Sequence, residues 1–241
     1  MKSIQPILSH VRRAVDDYKM IEDGDRIAVG VSGGKDSMTL LCALKELSRF
    51  YPKKYEIFAV CLDVGFPGGD LSPVEELCER LEVPLKIVPT DIYDIVFEYR
   101  KEKCPCSLCA RMRRGALHDA AKALGCGKVA LGHHFDDAVE TLLLNLFNEG
   151  RIGCFSPVTF LDRKQITLIR PLIYTPEKMM TYFINKEGIK LSPKVCPEDG
   201  NTDREKIKNL LFDLSKNDRG LKERIFGAMT RRGIDGWGKQ D

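Results

Sequence analysis

Hydrophobic positions along this chain recur at two different periods, and the alternation between them predicts the architecture. Over residues 3–20, Ile4, Ile7, Leu8, Val11, Val15 and Tyr18 fall at helical spacing while Arg12, Arg13 and Asp16 lie elsewhere on the wheel, which predicts a helix with one buried face. Apolar runs of strand length follow at 27–31, 55–62, 84–88, 128–131 and 166–170, bounded by turn residues. The second reads as a strand buried on both faces. Helical patterns occupy 38–50, 71–81, 91–100, the stretch following Cys106 to about 124, and the stretch after the 128–131 strand as far as 148. Strands alternating with helices at this rhythm predict right-handed βαβ units in an open parallel sheet. Further on, 150–163 reads as loop-rich, 176–188 and 201–214 as helices, and 191–197 as irregular. From Gly227 onward glycines interrupt any pattern, with Ile234 and Trp237 as the few apolar anchors, and a loose tail is expected. The organisation predicted is an α/β domain over 1–175 with a helical extension over 176–241.

The stretch Ser32-Gly33-Gly34-Lys35-Asp36-Ser37 stands where the first strand turns into a helix. Glycines there allow backbone conformations closed to other residues, and the first free N–H groups of the helix point outward with the positive end of its dipole behind them. Such a junction seats phosphate. The residue order fits neither a Walker loop nor a dinucleotide fingerprint. Asp63 ends the second strand at the same sheet edge, where it either borders an adenine ring or serves as a turn carboxylate. Gly132-His133-His134-Phe135-Asp136-Asp137 ends the 128–131 strand, crowding two carboxylates and two histidines onto that edge. One of the two aspartates must also serve in part as a helix N-cap.

An apolar share of 43% beside 30% charged residues describes a globular domain, and no apolar run is long enough to span a bilayer. A net charge of +3 permits a polyanionic partner without demanding one. Nine cysteines with no export signal point to a reducing, cytoplasmic setting, where thiols serve as metal ligands or redox groups. Cys106 and Cys109 begin a helix with both sulfurs on one side of its first turn, where the helix terminus is expected to lower their pKa. A lone Cys-x-x-Cys suits a redox pair, half of a zinc site or part of an iron–sulfur site. Cys196, in a loop before Pro197, is the remaining candidate, and three ligands without a fourth describe an open site. Cys42, Cys61 and Cys78 lie in apolar patterns that predict buried packing. On the helix after Cys106, Leu108, Met112, Ala116, Ala120 and Leu124 form a stripe for the sheet. Arg111, Arg114, His118 and Lys122 form an outward row, either a solvated face or an RNA contact.

Taken in order, the Ser32 to Ser37 loop, the segment Cys106-Ser107-Leu108-Cys109 with Arg113-Arg114-Gly115, the Gly132 to Asp137 turn, Arg170-Pro171-Leu172 and Cys196 resemble the TtcA/TtuA family of tRNA thiolation enzymes. The likeness is nearest to its 2-thiocytidine synthetase branch, and the zinc-binding cysteine pairs of the 2-thiouridine branch are absent. The resemblance implies an open parallel sheet of the PP-loop ATP pyrophosphatase (adenine nucleotide α-hydrolase-like) type, helices on both faces, and a helical C-terminal extension. It implies a reaction in which the C2 carbonyl oxygen of a tRNA pyrimidine is adenylated with ATP and Mg²⁺ and then replaced by sulfur at a [4Fe–4S] cluster. Cys106, Cys109 and Cys196 are the implied cluster ligands. Ser32, Gly33, Gly34, Asp36 and Ser37, with Asp63, Gly132 and His133, are implied around the nucleotide, and Lys35, Asp36 and Asp137 carry the implied catalytic roles. The implied partners are tRNA and a sulfur donor, either a cysteine desulfurase or inorganic sulfide. No membrane is implied, and a homodimer is permitted. Arg113 stands where the uridine branch has a lysine, so the resemblance does not carry over a step that depends on that lysine. Cys104 is expected not to be a ligand, because a fourth thiolate would close the open iron and Pro105 stiffens the backbone between it and Cys106. The alternatives are a PP-loop adenylating ligase, amide-forming or lysidine-type, with zinc or no metal at the cysteines, and an RNA-binding module that keeps nucleotide for structure.

Overall fold

Strand alternation divides the apolar residues between two faces of a six-stranded sheet. The computed structural model describes residues 2–101, 105–198, 200 and 202–238. Strands β1 (Asp25–Gly30), β2 (Tyr55–Asp63), β3 (Leu85–Pro89), β4 (Lys128–Ala130), β5 (Val158–Leu161) and β6 (Ile166–Ile169) lie in the order β3-β2-β1-β4-β6-β5. All neighbours are parallel except β5, which runs antiparallel to β6. Ile27 and Val29 of β1 face the larger core and Ala28 the smaller one, and β2 divides Ile57, Ala59 and Cys61 from Val60 in the same way. Helices α1 (Gln5–Asp17), α2 (Lys35–Leu47), α3 (Ser72–Leu81) and α6 (Glu177–Lys186) cover the larger core. Helix α4 (Pro105–Ala123) closes the other through Leu117 and Ala121. Helix α5 (Phe135–Asn148) receives α7 (Asp203–Ser215) and α8 (Leu221–Arg231) around Phe135, Val139, Ile207 and Leu211.

From the β3 edge the chain crosses to β4 on the far side of β1, so the strand order reverses between β1 and β4. At such a reversal the loops leaving adjacent strands diverge and open a crevice at the carboxyl ends. Both motifs expected at the nucleotide leave these two strands.

Four expectations are corrected. The 150–163 stretch contains β5, whose antiparallel pairing with β6 no local pattern announces. The 91–100 helix is mostly a π-helix, Asp94–Tyr99, a widened form frequent at functional sites. His118 is buried on α4, unlike the exposed Arg111, Arg114 and Lys122 on the same face, where Lys164 from the turn between β5 and β6 reaches the adjacent Asp119. The loose tail is replaced by α8, a 3₁₀ turn (Ile234–Gly236) and a Trp237 that is 1% exposed. Helix α6 shares the main core with α1 and α2, so the helical layer of the sheet extends past residue 175. No helix among the described residues is long and apolar enough to cross a membrane.

Trp237 is held by more than area. Its indole N–H donates to the Phe155 carbonyl at 2.6 Å, and the Tyr18 hydroxyl donates to the Trp237 carbonyl at 2.8 Å. Tyr18, Phe155 and Phe226 surround the ring, and Asp235 accepts the Cys154 N–H at 2.7 Å. Truncation to Trp237→Ala is expected to cost about 3–5 kcal/mol of stability. The check is the urea midpoint at constant slope, with Trp237→Phe retaining most of the loss.

Candidate active site

The loop after β1 closes on itself through its two serines. Ser37 Oγ accepts the Ser32 N–H at 3.1 Å and donates to the Gly34 carbonyl at 3.0 Å, with Ser32 Oγ 3.2 Å away. Gly33 has φ +77°, and a Cβ there would also collide with the Ser192 hydroxyl. Met38 N–H reaches the Gly34 carbonyl at 3.1 Å, which leaves the earlier N–H groups of α2 for a ligand.

Lys35 Nζ lies 2.8 Å from Glu177 Oε1 and 3.1 Å from Asp36 Oδ1. Lys208 of α7 reaches the same Glu177 oxygen at 3.0 Å. Burial disfavours the Glu177 carboxylate, but the hydrogen bonds from Lys35 and Lys208 outweigh it and hold its pKa down to about 2. Burial likewise opposes the Lys35 ammonium, and Glu177 with Asp36 still raises its pKa. Glu177, Arg204 and Lys208 were missed by sequence reasoning. Their one local signal was an acid in the first turn of a predicted helix.

The β4–α5 loop meets this assembly backbone to backbone. A Cβ at Gly132 would stand 3.2 Å from Ser37 N and 3.3 Å from the Asp36 carbonyl carbon. His134, buried, has Nε2 3.4 Å from Asp137 Oδ2 and 3.9 Å from Asp36 Oδ1, with Nδ1 3.8 Å from Asp136 Oδ2. Asp137 Oδ2 caps α5 by accepting the His134 N–H at 3.0 Å, and Oδ1 accepts from Arg204 at 3.2 Å. Asp136 caps α6, accepting the Glu177 N–H at 2.8 Å, and pairs with Lys222 at 2.7 Å. Glu140, 3.6 Å from Arg204, is pushed up to about 7 by burial and by Asp137. His133 rests on the Phe155 ring at 4.9 Å, and burial with the nearby Arg170 charge pushes its pKa down to about 4, so the imidazole is neutral at pH 7. Asp63 is exposed at the same edge and bonds the Gly65 N–H at 3.0 Å, the geometry of a turn carboxylate.

Cys106, exposed, and Cys109, buried, occupy the first turn of α4. Cys196 arrives on a segment laid across the loop after β1. Lys190 pairs with Glu76 at 3.0 Å, Ser192 N–H donates to the Gly33 carbonyl at 3.1 Å, and Val195 borders Gly68. The expected lowering of the Cys106 pKa is overturned. Burial first, then the neighbouring Cys196, Glu198 and Cys109, push that thiol up. Such crowding of sulfurs suits a soft cationic group that offsets their charge. Among the described residues no three His, Cys, Asp or Glu side chains are arranged around a single metal ion. A cubane distributes its thiolates over separate irons, so by donor type the three cysteines fit an iron–sulfur cluster. Cys104 lies outside the described residues. Cys42 is buried with its thiol pushed up to about 12, and Cys61 and Cys78 to about 11, as packing residues should be.

A family model described as a PP-loop domain matches residues 7–214. The tRNA-cytidine(32) 2-sulfurtransferase of Pelobacter propionicus is 42% identical over 223 residues, 91% of this chain and 83% of that protein. The protein of the same name from Geobacter sulfurreducens is 42% identical, covering 92% and 88%. Among solved structures, the U34-tRNA thiolase NcsA from Methanococcus maripaludis with its [4Fe–4S] cluster shares the fold, with a TM-score of 0.75 at 24% identity over 92% of this chain and 77% of that one.

The Lys35–Glu177–Lys208 bridge predicts an acid signature. Because the folded-state pKa of Glu177 is depressed, its contribution is present above the ordinary value of 4.5 and is lost as pH falls toward about 2. Glu177→Gln is therefore expected to be less stable at pH 7 by about 1 kcal/mol after solvent screening, and to lose less than the wild type below pH 4.5. Urea midpoints measured across that range check the difference.

Proposed function

The chain belongs to the PP-loop family and, within it, to the tRNA-cytidine(32) 2-sulfurtransferases, and from that membership we propose how its residues replace the C2 oxygen of cytidine 32 in tRNA with sulfur. The observation that carries the reading is the contact of Ser192 with Gly33, which joins the segment bearing Cys196 to the phosphate loop. The N–H groups at the start of α2 and the hydroxyls of Ser32 and Ser37 hold the ATP phosphates. Lys35 turns from Glu177 to the departing pyrophosphate, and Asp36 with Asp137 serves Mg²⁺ or orients the base. The C2 carbonyl oxygen attacks the α-phosphorus, an O–P bond forms, and the α–β bridge breaks with release of pyrophosphate. An amide-like carbon resists nucleophiles until its oxygen is a leaving group, and AMP is that group. Sulfur then forms its bond to C2 as the C2–O bond to AMP breaks. Cys106, Cys109 and Cys196 would hold a [4Fe–4S] cluster, which would supply the iron chemistry for sulfur transfer. Inorganic sulfide, already at the oxidation level of the thiolated product, is the donor that balances this step; persulfide sulfur from a cysteine desulfurase would first take up two electrons from a thiol reductant.

The test is anaerobic incubation of the iron-loaded protein with ATP, Mg²⁺, sulfide and tRNA, followed by nucleoside mass spectrometry. Thiolated cytidine at position 32 with equimolar AMP and pyrophosphate is expected. Release of ADP and phosphate, or stoichiometric zinc in place of iron, overturns the reading.

The two halves of the site separate by mutation. Cys106→Ala, Cys109→Ala or Cys196→Ala is expected to abolish iron binding, whereas Lys35→Ala retains the iron and lowers the rate about 10²–10³-fold, the usual cost of removing one preorganised charge. Iron analysis and single-turnover AMP formation check the split.

For tRNA affinity, the exposed Arg111 and Arg114 are the expected phosphate contacts. Their double alanine variant should reduce the salt slope of binding by about 2. An unchanged slope makes them a solvated face.

A further inference from the structure

Three aromatic rings stand where the nucleotide edge of the sheet meets the cysteines. Phe66 lies on the turn after β2, and Tyr93 and Phe97 lie on the helical segment ending in the π-helix. Tyr93 and Phe97 are stacked, with centroids 5.6 Å apart and planes 20° from parallel, and Phe66 meets them edge-on at 5.2 and 5.5 Å. All three are partly exposed. Tyr93 and Phe97 are four apart on one helical segment, which puts both rings on the same face. Gly65, with φ +84°, turns the chain directly after β2, and Tyr93 N–H donates to the Val64 carbonyl at 3.0 Å, so the rings are tied to the strand end.

Their surroundings connect them to the sulfur side of the site. Phe97 packs with Ile92, Val96, Leu108 and Met112 around Cys109. On the other flank, the turn carrying Phe66 continues to Gly68, which borders Val195, the residue before Cys196. The rings therefore lie between the two segments that bring the cysteines together. The same helix that packs Leu108 and Met112 against Phe97 carries Arg111 and Arg113 exposed, cations suited to the phosphates of a nucleic acid backbone.

We propose that Phe66, Tyr93 and Phe97 form the platform on which the target pyrimidine, swung out of its RNA loop, stacks beside the cysteines. Proteins that read or modify a base in single-stranded RNA take it out of its stack and hold it on aromatic faces. A base on these rings faces the sulfur-bearing cysteines from the flank nearest the phosphate loop. The inference rests on the tRNA reading above. An adenine stacked on the same rings is the competing use of this surface, and the test separates the two.

The experiment measures binding of iron-loaded protein to an anticodon stem–loop RNA carrying cytidine 32 and to the same RNA abasic at that position. In the wild type, removing the base should weaken binding about 10-fold or more, the usual worth of one stacked base. In a Phe66→Leu/Tyr93→Leu variant the cytidine RNA should lose the same factor, the abasic RNA should bind as it does to the wild type, and ATP affinity and iron content should be unchanged. Tyr93→Phe keeps the ring and should keep the affinity, and Phe66→Leu alone, on a surface turn, gives part of the loss. An abasic penalty that persists undiminished in the double variant overturns the platform, as does loss of ATP affinity in place of RNA affinity. Absence of binding by the wild type to either RNA overturns the tRNA reading itself.

Discussion

The approach of Gly132 to the first turn of α2 is the contact on which the site depends. A Cβ there would press on Ser37 N at 3.2 Å, so any side chain pushes the two loops apart. Strand order makes the contact possible, because β1 and β4 are neighbours only through the crossing from the β3 edge. Its consequence is that His134, carried by the second loop, stands 3.9 Å from Asp36 of the first, with Asp136 and Asp137 within 4 Å of the same imidazole. A flexible pair of loops would need side-chain reach to assemble the same groups, at a larger entropic cost.

What the contact assembles is an excess of carboxylates in a small volume. Burial and repulsion by Asp137 and Asp136 together push Glu140 up to about 7. The balancing cations come largely from outside the sheet: Arg204 and Lys208 from α7, and Lys222 next to the start of α8. Lys35 and Lys208 share a single Glu177 oxygen. With both on it, Glu177 keeps a cationic partner when either lysine is drawn away, so no buried charge is left unpaired. The C-terminal helices are in this sense part of the active site.

The sequence was legible where chemistry is local. Both loops, the parallel sheet, the Cys-x-x-Cys helix start and the irregular segment of Cys196 follow from periodicity, glycines and spacing, because each needs only its own neighbours. It was not legible where a distant partner decides. Glu177 reads as an ordinary first-turn acid until Lys35 and Lys208 are seen on it, and Arg204 as one charge on a polar helix until Asp137 is seen beneath it. Trp237 stands alone in a glycine-rich stretch, and only the pocket of Tyr18, Phe155 and Phe226 makes it an anchor. His118 failed for the same reason. It lies on the same helix face as Arg111, Arg114 and Lys122, and its burial comes from a distant part of the chain: Lys164, on the turn between β5 and β6, reaches the adjacent Asp119 at 2.5 Å.

Two reactions at one carbon atom impose a further constraint, since the base must be reached by phosphate and by sulfur without leaving the protein between steps. The chain meets it by laying the 190–196 segment over the phosphate loop, with Ser192 seated on Gly33. Gly33 thus has two reasons to be glycine: its φ of +77°, and the hydroxyl that occupies the space of a side chain. Four residues later the same segment delivers Cys196 to the first turn of α4. A displacement of the loop after β1 is consequently transmitted to the segment that carries Cys196, so the positions of that loop and of Cys196 are set together by one backbone contact.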